Sequence, residues 1–179
     1  RGGAAGHLGH DPDQHAASGG GNGRTPLTLA SKADQAHFAP MSEIEQIIDE
    51  IAAEFSFLSD WEERYGYLLD LSRALTPLTD AERTEANKVR GCASQVWLVF
   101  EQRAEAPDRL YFRGDSDAHL VRGLIAVLTR IFSGRCRVEI LASDPRAMFE
   151  KLGLADALTP QRSNGLHAMM QRIRAEAGA

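Results

Sequence analysis

The sequence of 179 residues predicts an α+β domain in which several helices cover a small antiparallel β-sheet of two or three strands. Two observations support this fold class. Apolar residues recur three and four positions apart in most of the chain after residue 41, which is the period of amphipathic helices. Only the runs at 95–101 and 109–113 have the β-branched and aromatic composition of strands, and a short loop joins them.

Two helices are predicted ahead of the strands. Ser42 and Glu45 form a capping box, after which isoleucines at helical spacing continue the first helix to about Glu54. Asp60 starts the second helix with the same kind of box, and the helix stops before Pro77.

The strands follow a stretch at 80–86 that predicts only a short surface helix or a turn, because it has little apolar stripe. Residues 95–101 (QVWLVFE) carry large apolar side chains on both alternating faces, which predicts a well-buried strand. Residues 109–113 (RLYFR) are expected to be its antiparallel partner. This hairpin should form the centre of the sheet.

Three helices are predicted after the hairpin. Ser116 is expected to cap a long helix, and Gly134 to end it in the left-handed conformation. Asp144 opens a short helix that closes at Gly153, and Thr159 precedes the proline at the start of the last helix. The long helix is the most apolar of the five, so it should cover the sheet.

Residues 1–40 differ in composition from the rest of the chain. They hold eight of the 16 glycines and four of the six histidines. Such a stretch buries too little apolar surface to offset its chain entropy, so we expect a disordered leader, with a non-native origin as an open alternative. A metal-binding tail of His7, His10 and His15 is less favoured, because their irregular spacing fixes no ligand geometry. The rest, residues 41–179, is expected to be one domain.

Charge and cysteine content exclude several classes of function. The chain carries 20 basic and 25 acidic residues, a net charge of −5, which argues against a nucleic-acid binder. Its longest apolar run, 124–128, lies between Arg122 and Arg130 and is too short to cross a membrane. Two cysteines cannot form a disulfide framework, and no zinc-type spacing is present, which favours the reducing cytoplasm.

Cys92 is the first candidate reactive residue. It follows Gly91 directly, and a glycine lets the chain turn sharply enough to display the next side chain at a loop tip. Lys88 and Arg90 would favour its thiolate form. A small buried hydrophobe is the alternative, because free cysteine is among the most buried residue types, and composition alone leaves both open.

Cys136 lacks such a turn, so we expect a structural role, with a backup or resolving thiol as the alternative. Other catalytic templates are missing: the sequence holds no GxSxG elbow, no Walker-type phosphate loop and no dinucleotide-binding GxGxxG. A cysteine hydrolase would need His119 or His167 as its base. Both fall within predicted helices with polar neighbours, so we expect them at the surface.

Four blocks, in order along the chain, resemble the SufE family of sulfur-acceptor proteins. They are residues 87–98 (NKVRGCASQVWL), 113–118 (RGDSDA), 121–126 (VRGLIA) and 158–166 (LTPQRSNGL). The similarity extends from about Trp61 to Ala175. Two positions depart from the family pattern, since Ala93 stands where glutamine is usual and Gln161 where serine is usual. Cys136 matches no block.

The resemblance implies that Cys92 accepts sulfur from the persulfide of a pyridoxal-phosphate cysteine desulfurase, of SufS or CsdA type, and stimulates that enzyme. The sulfur would then pass to an iron–sulfur scaffold complex of SufBCD type. This is a cytoplasmic partner protein rather than a stand-alone enzyme, with no cofactor and no nucleic-acid or membrane partner. The resting sulfur is implied to lie in an apolar pocket, for which Val96, Trp97 and Leu98 are nearby candidates in the sequence.

The family blocks also suggest supporting site residues. Those of the cysteine loop are Gly91, as its hinge, Ser94 and Gln95. Those expected to dock a partner or anchor the loop are Asp115, Asp117 and Arg162. The alternatives are that the two aspartates only complement the dipole of the next helix and that the arginine is merely solvated.

An iron–sulfur scaffold is the competing function. It needs several thiolate or imidazole ligands that converge on iron. The expected domain offers only Cys92, Cys136, His119 and His167, which weighs against it.

Overall fold

The computed structural model describes residues 41–154 and 158–179, so the predicted leader, with His7, His10 and His15, lies outside the described part. The described residues form six helices and three strands, which confirms the α+β class. In chain order they are α1 (Glu43–Ser56), α2 (Trp61–Ala74), β1 (Val96–Glu101), β2 (Arg109–Ser116), α3 (His119–Phe132), β3 (Arg135–Cys136), α4 (Arg137–Ala142), α5 (Pro145–Lys151) and α6 (Pro160–Ala177).

Capping side chains start the first two helices where the sequence predicts. In α1 the Ser42 hydroxyl accepts from the Glu45 N–H at 3.1 Å, and the Glu45 carboxylate accepts from the Ser42 N–H at 3.0 Å. At α2 the Asp60 carboxylate accepts from the Glu63 N–H at 2.9 Å, but the Glu63 carboxylate accepts from the N–H of Ser59. The second capping box is therefore only half formed.

β2 is the central strand of the sheet, whose order is β1-β2-β3, and it pairs antiparallel with both neighbours. It continues past the predicted end at Arg113 as far as Ser116. The prediction that Ser116 caps the long helix is wrong, because the cap position of α3 is Ala118, which makes no side-chain bond. The Ser116 hydroxyl instead donates to the Gln95 carbonyl at 2.7 Å, which ties the two strands together at this end.

One face of the sheet packs against α3 and belongs to the core. Its buried side chains, each at most 2% exposed, are Val96, Leu98, Leu110 and Phe112. The alternate side chains of β1, such as Trp97, are only half-buried. A polar loop lies over them and places the Arg83 guanidinium 5.9 Å from the indole ring. The prediction of a strand well buried on both faces is therefore wrong for the second face.

α3 packs closely on α2 as well as on the sheet. A Cβ at Gly123 of α3 would lie only 2.3 Å from the Leu68 carbonyl oxygen of α2, so the two helices touch backbone to backbone. On its other side, a Cβ at Gly114 of β2 would meet the Ile125 side chain at 2.7 Å. Two glycines therefore allow this helix to sit between the sheet and α2.

Neither β3 nor α4 is predicted from the sequence. β3 has two residues and shows no period, and α4 has six residues with one buried side chain, Ile140. Residues 80–86 form turns, one of the two predicted outcomes. Within the described ranges, no helix is both long and apolar enough to cross a membrane.

Candidate functional site

Cys92 lies at the tip of a short hairpin-like loop in front of β1. Residues 87–89 pair with 96–98 through backbone hydrogen bonds of 2.8 and 2.9 Å, so residues 90–95 form the tip, here called the cysteine loop. Gly91 turns the chain with a φ of +90°, a conformation that favours glycine. The predicted display turn in front of the thiol is therefore present.

The far end of the cysteine loop is tied to the sheet through the backbone of Gln95. The Asp117 carboxylate accepts from the Gln95 N–H at 2.9 Å, and the Asp117 N–H donates to the Gln95 carbonyl at 3.3 Å. The Ser116 hydroxyl donates to the same carbonyl. Three hydrogen bonds therefore fix the point at which the loop enters β1.

The Cys92 side chain is half-buried against α6. Its Sγ lies 3.6 Å from the Gly165 carbonyl oxygen, within reach of an S–H donor. A Cβ at Gly165 would lie 3.5 Å from the sulfur, so the thiol packs directly on the helix backbone. A cavity of about 20 Å³ adjoins it. The other residues that line this cavity are Ala93, Ser94, Val121, Leu124, Gln161, Arg162 and Met169.

Burial raises the pKa of the Cys92 thiol above its ordinary value. Lys88 and Arg90 do not offset this effect, because both pair with Glu85, at 3.3 and 3.1 Å. The expectation that these two cations favour the thiolate is therefore wrong. In this conformation the sulfur is kept as a neutral thiol.

The apolar walls of the pocket come from two helices that the sequence analysis did not connect with Cys92. Val121 and Leu124 belong to α3, and Met169 belongs to α6. Val96 and Leu98, the neighbours suggested by the sequence, belong to the sheet core instead. A signal for α6 was available, since positions 165 and 169 are four apart and share one helix face.

Asp115 is buried within the protein, at 2% exposure. Its carboxylate accepts from the Arg83 guanidinium at 2.9 Å and from the N–H groups of Leu78 and Ser116, and Arg122 lies 3.1 Å away. Burial alone would raise the pKa of this carboxyl, but these partners outweigh it and hold the pKa below its ordinary value. Asp115 thus anchors the loop that precedes Cys92 and is out of direct reach of a partner.

Ser94 and Arg162 lie at the pocket. Ser94 is half-buried, whereas Arg162 is exposed in the first turn of α6. Among the described residues, the bonds of the cysteine loop are made to Glu85, Gly165, Ser116 and Asp117 and do not include the Arg162 guanidinium.

His119 and His167 are both exposed, as expected from the sequence. The Nδ1 atom of His167 lies 2.7 Å from the Ser163 carbonyl oxygen. Neither histidine lines the pocket of Cys92, so the described residues place no imidazole at the thiol. A hydrolase with a cysteine nucleophile lacks its base here.

The two cysteines lie at opposite ends of the sheet. Cys136 pairs with Arg109 at the first residue of β2, and the cysteine loop is tied to Ser116 at its last. The strand rises ~3.3 Å per residue, so these ends are roughly 23 Å apart. The two thiols cannot bind one iron centre together. Over the described ranges, no three His, Cys, Asp or Glu side chains are grouped to hold a metal ion.

Comparison with known proteins bears directly on this site. The family model SufE, described as an Fe-S metabolism associated domain, matches residues 49–177, well over half of the chain. The chain belongs to the SufE family. The match includes the cysteine loop, β2 and α6, so the resemblance noted in the sequence is confirmed. Membership connects the chain with Fe-S metabolism.

Two relatives extend the SufE match. An uncharacterized SufE-like protein of Rhizobium etli is 49% identical over 138 residues, which cover 76% of this chain and 90% of that protein. An uncharacterized SufE-like protein of Rhizobium meliloti is 47% identical over 138 residues, or 76% of this chain and 96% of that protein. The solution structure of a hypothetical protein from Thermus thermophilus has a TM-score of 0.58 at 18% identity, covering 75% of this chain and 93% of that one. This structural similarity concerns the fold alone.

Proposed function

We propose that this SufE-family chain is a sulfur acceptor. Cys92 takes the terminal sulfur from the cysteine persulfide of a pyridoxal-phosphate desulfurase, of SufS or CsdA type, and hands it to an iron–sulfur scaffold of SufBCD type in the cytoplasm. The observation that carries the proposal is the placement of the thiol. It lies at the tip of a tethered loop, is sheltered by α6 and directly follows the glycine turn at Gly91.

The transfer needs no cofactor on this chain. The Cys92 thiolate attacks the terminal sulfur of the donor persulfide, and a new S–S bond forms as the donor S–S bond breaks. The donor cysteine leaves as a thiolate and takes up the proton that Cys92 released. Electrons balance because the transferred sulfur keeps its oxidation state. Delivery repeats the same exchange, with Cys92 as the leaving thiolate.

The resting geometry requires a movement before this reaction. The sulfur faces the Gly165 carbonyl and a cavity with room for about one water molecule, which is too small to admit a donor cysteine. We infer that Gly91 is the hinge and that the bonds of Asp117 to Gln95 hold the other end of the loop. Docking of the desulfurase then moves the thiol out of the pocket.

The remaining site residues have supporting roles in this proposal. Asp115 fixes the loop in front of the thiol through Arg83. Arg162, exposed beside the pocket, is available to the docked partner. Gln95 is the residue of the cysteine loop that stays attached to the sheet, and Ser94 precedes it at the pocket. An iron–sulfur scaffold is not proposed, because Cys136 lies at the other end of β2.

Mass spectrometry after incubation with a SufS-type desulfurase and free cysteine tests the proposal. We expect a gain of one sulfur atom on the peptide that contains Cys92. Desulfurase turnover should rise when the wild-type chain is added. The Cys92→Ser chain should fold normally and give neither effect.

Cys136→Ser is the matched control, because it removes the other thiol of the same chain. We expect its relay activity to stay within about tenfold of wild type, which corresponds to ~1.4 kcal/mol. Full stimulation by the Cys92→Ser chain, or sulfur on the Cys136 peptide alone, would refute the assignment. A larger loss with Cys136→Ser would give the second thiol a role.

A further inference from the structure

An open groove of about 650 Å³ lies at the end of the sheet opposite Cys92. It is bounded by the connection between β1 and β2 and by the last residues of the chain, 177–179. Three arginines line it, Arg103, Arg109 and Arg137, and no aspartate or glutamate is found among its described lining residues. We call it the arginine groove. It has no part in the sulfur chemistry proposed above.

Each of the three guanidinium groups is held in place by the fold. Arg103 stacks on the Tyr111 ring, 3.8 Å from the ring centroid. Arg137 donates to the Glu176 carbonyl at the end of α6, at 2.6 Å. Arg109 donates to a backbone carbonyl at 2.7 Å and pairs with an acidic side chain of α1. Ligand binding therefore costs little ordering of these long side chains.

Arg109 is the member of the groove whose charge is most fully compensated. Glu43 accepts from it at 3.1 Å, and Asp108 is near enough to act on it as well. Glu43 also lies 3.7 Å from Arg135. A ligand should therefore gain less from Arg109 than from the other two arginines.

Arg103 and Arg137 supply the positive charge that remains. The contact of Arg103 with Glu101 is long, 3.8 Å, and the same carboxylate accepts from Arg113 at 2.8 Å. The contacts seen for Arg137 among the described residues are to backbone carbonyls at the end of α6. Two fixed guanidinium groups thus line an open groove in a chain whose net charge is −5, and the acidic group beside them in the lining is the carboxyl group of Ala179, the last residue of the sequence.

An exposed apolar strip borders the groove on the side of α4. Val138 is 71% exposed and Leu141 is 39% exposed, three positions apart on that helix. Leu141 reaches Gly178 of the groove, since its Cδ2 atom lies 3.9 Å from where a Cβ at 178 would be. The two features therefore form one surface, basic in the groove and apolar at its edge.

We propose that the arginine groove binds an acidic segment of a partner protein. Its carboxylates pair with Arg103 and Arg137, whose planar guanidinium groups suit two-point binding of carboxylate. Its apolar side chains cover Val138 and Leu141. A protein segment fits better than a free phosphate, which would leave the apolar strip exposed. The groove lies at the opposite end of β2 from the cysteine loop, and these strand ends are roughly 23 Å apart, so a partner bound here leaves the thiol accessible.

Fluorescence anisotropy with the full chain tests this proposal. The probe is a short fluorescein-labelled peptide of alternating glutamate and leucine, and the same peptide with glutamine for glutamate is the charge control. We expect the acidic peptide to bind and the double variant Arg103→Gln/Arg137→Gln to weaken it at least about tenfold. The matched control is Arg73→Gln, an arginine of α2 whose side chain is 77% exposed. It should bind like wild type.

Two further measurements show that peptide binding depends on the groove and not on Cys92, and that a loss of binding in the variant is not a loss of folding. The Cys136→Ser chain, in which iodoacetamide can block Cys92 alone, should bind the peptide equally before and after blocking, so failure of the sulfur-acceptor proposal would not affect this result. A photo-reactive version of the peptide should label wild-type segments 102–109, 137–141 or 177–179. Equal binding of the glutamine peptide, equal competition by inorganic phosphate, or labelling elsewhere would overturn the proposal.

Discussion

Alanine at position 91 should release the Cys92 thiol from its pocket. Gly91 has a φ of +90° in the resting loop. A Cβ there would lie 3.6 Å from the Cβ of Ala168, which is ordinary van der Waals contact. The cost of Gly91→Ala therefore comes from the backbone and not from a clash. Holding a non-glycine residue in such a conformation costs about 1–2 kcal/mol.

This strain falls on the closed loop alone, because an open loop is free to relax the dihedral at position 91. A bias of about 1–2 kcal/mol raises the ratio of open to closed loops roughly 5- to 30-fold. Since burial keeps Cys92 protonated and half-covered, its alkylation should accelerate by a similar factor in the variant.

The assay is the rate of iodoacetamide labelling, followed by peptide mass spectrometry. Cys136 serves as an internal reference, because it is about 23 Å away at the other end of β2 and should be unaffected. Gly66→Ala is the control variant, since no atom lies within 4 Å of the Cβ position there. Unchanged labelling of Cys92 relative to Cys136 in Gly91→Ala would show that this dihedral does not hold the loop closed.

Two more predictions concern packing and protonation. Gly123→Ala should lower the free energy of unfolding by about 2–3 kcal/mol, because the new Cβ would lie 2.3 Å from the Leu68 carbonyl oxygen and the helices must separate. Thermal unfolding measures this change, and Gly66→Ala is again the control. An unchanged stability of Gly123→Ala would contradict the prediction. The labelling of Cys92 should reach its midpoint at a higher pH in the folded chain than in urea, because burial raises the thiol pKa only when the chain is folded. Above the ordinary thiol pKa of about 8.5, the free energy of unfolding of wild type should fall relative to that of Cys92→Ser as pH rises. The reason is that the Cys92 thiol loses its proton at a lower pH in the unfolded chain than in the folded one. Equal labelling midpoints in the folded and unfolded chains would contradict both predictions.

Much of the fold follows from signals that lie close together in the sequence. The capping box of Ser42 and the helical spacing after it place α1 correctly, and Asp144 with Gly153 brackets α5. These signals succeed because the residues that satisfy a helix end are its immediate neighbours. The β-branched and aromatic composition of 95–101 identifies β1, because this signal lies within the strand itself.

The errors arise where a distant part of the chain decides the structure. Ser116 looks like a helix cap, but its hydroxyl bonds to Gln95, 21 residues earlier, and the residue stays in β2. β3 forms because its two residues pair with the first two residues of β2. The second face of β1 is only partly buried, because Trp97 there is covered by Arg83 of a loop and not by a helix. None of these partners can be seen in a local pattern.

The candidate site also has one part that local sequence signals predict and another part that depends on distant residues. The glycine turn and the thiol are adjacent in sequence, so their geometry could be predicted. The walls of the pocket come from α3 and α6, and Gly165 is 73 residues from Cys92. The effect of Lys88 and Arg90 on the thiol was wrongly predicted, because Glu85 binds both cations first.

The burial that protects the Cys92 thiol from solvent also lowers its reactivity. The contacts that hold Cys92 against Gly165 exclude water, and this exclusion raises the thiol pKa and leaves little thiolate to attack a persulfide. No histidine lines the pocket, Lys88 and Arg90 pair with Glu85, and burial sets the direction in which the thiol pKa moves. If the proposed transfer is right, the nucleophile must be generated outside the pocket, in the environment of the docked desulfurase. We therefore expect the thiol to react slowly with disulfides and oxidants while it lies in the pocket, and faster once the loop has moved outward.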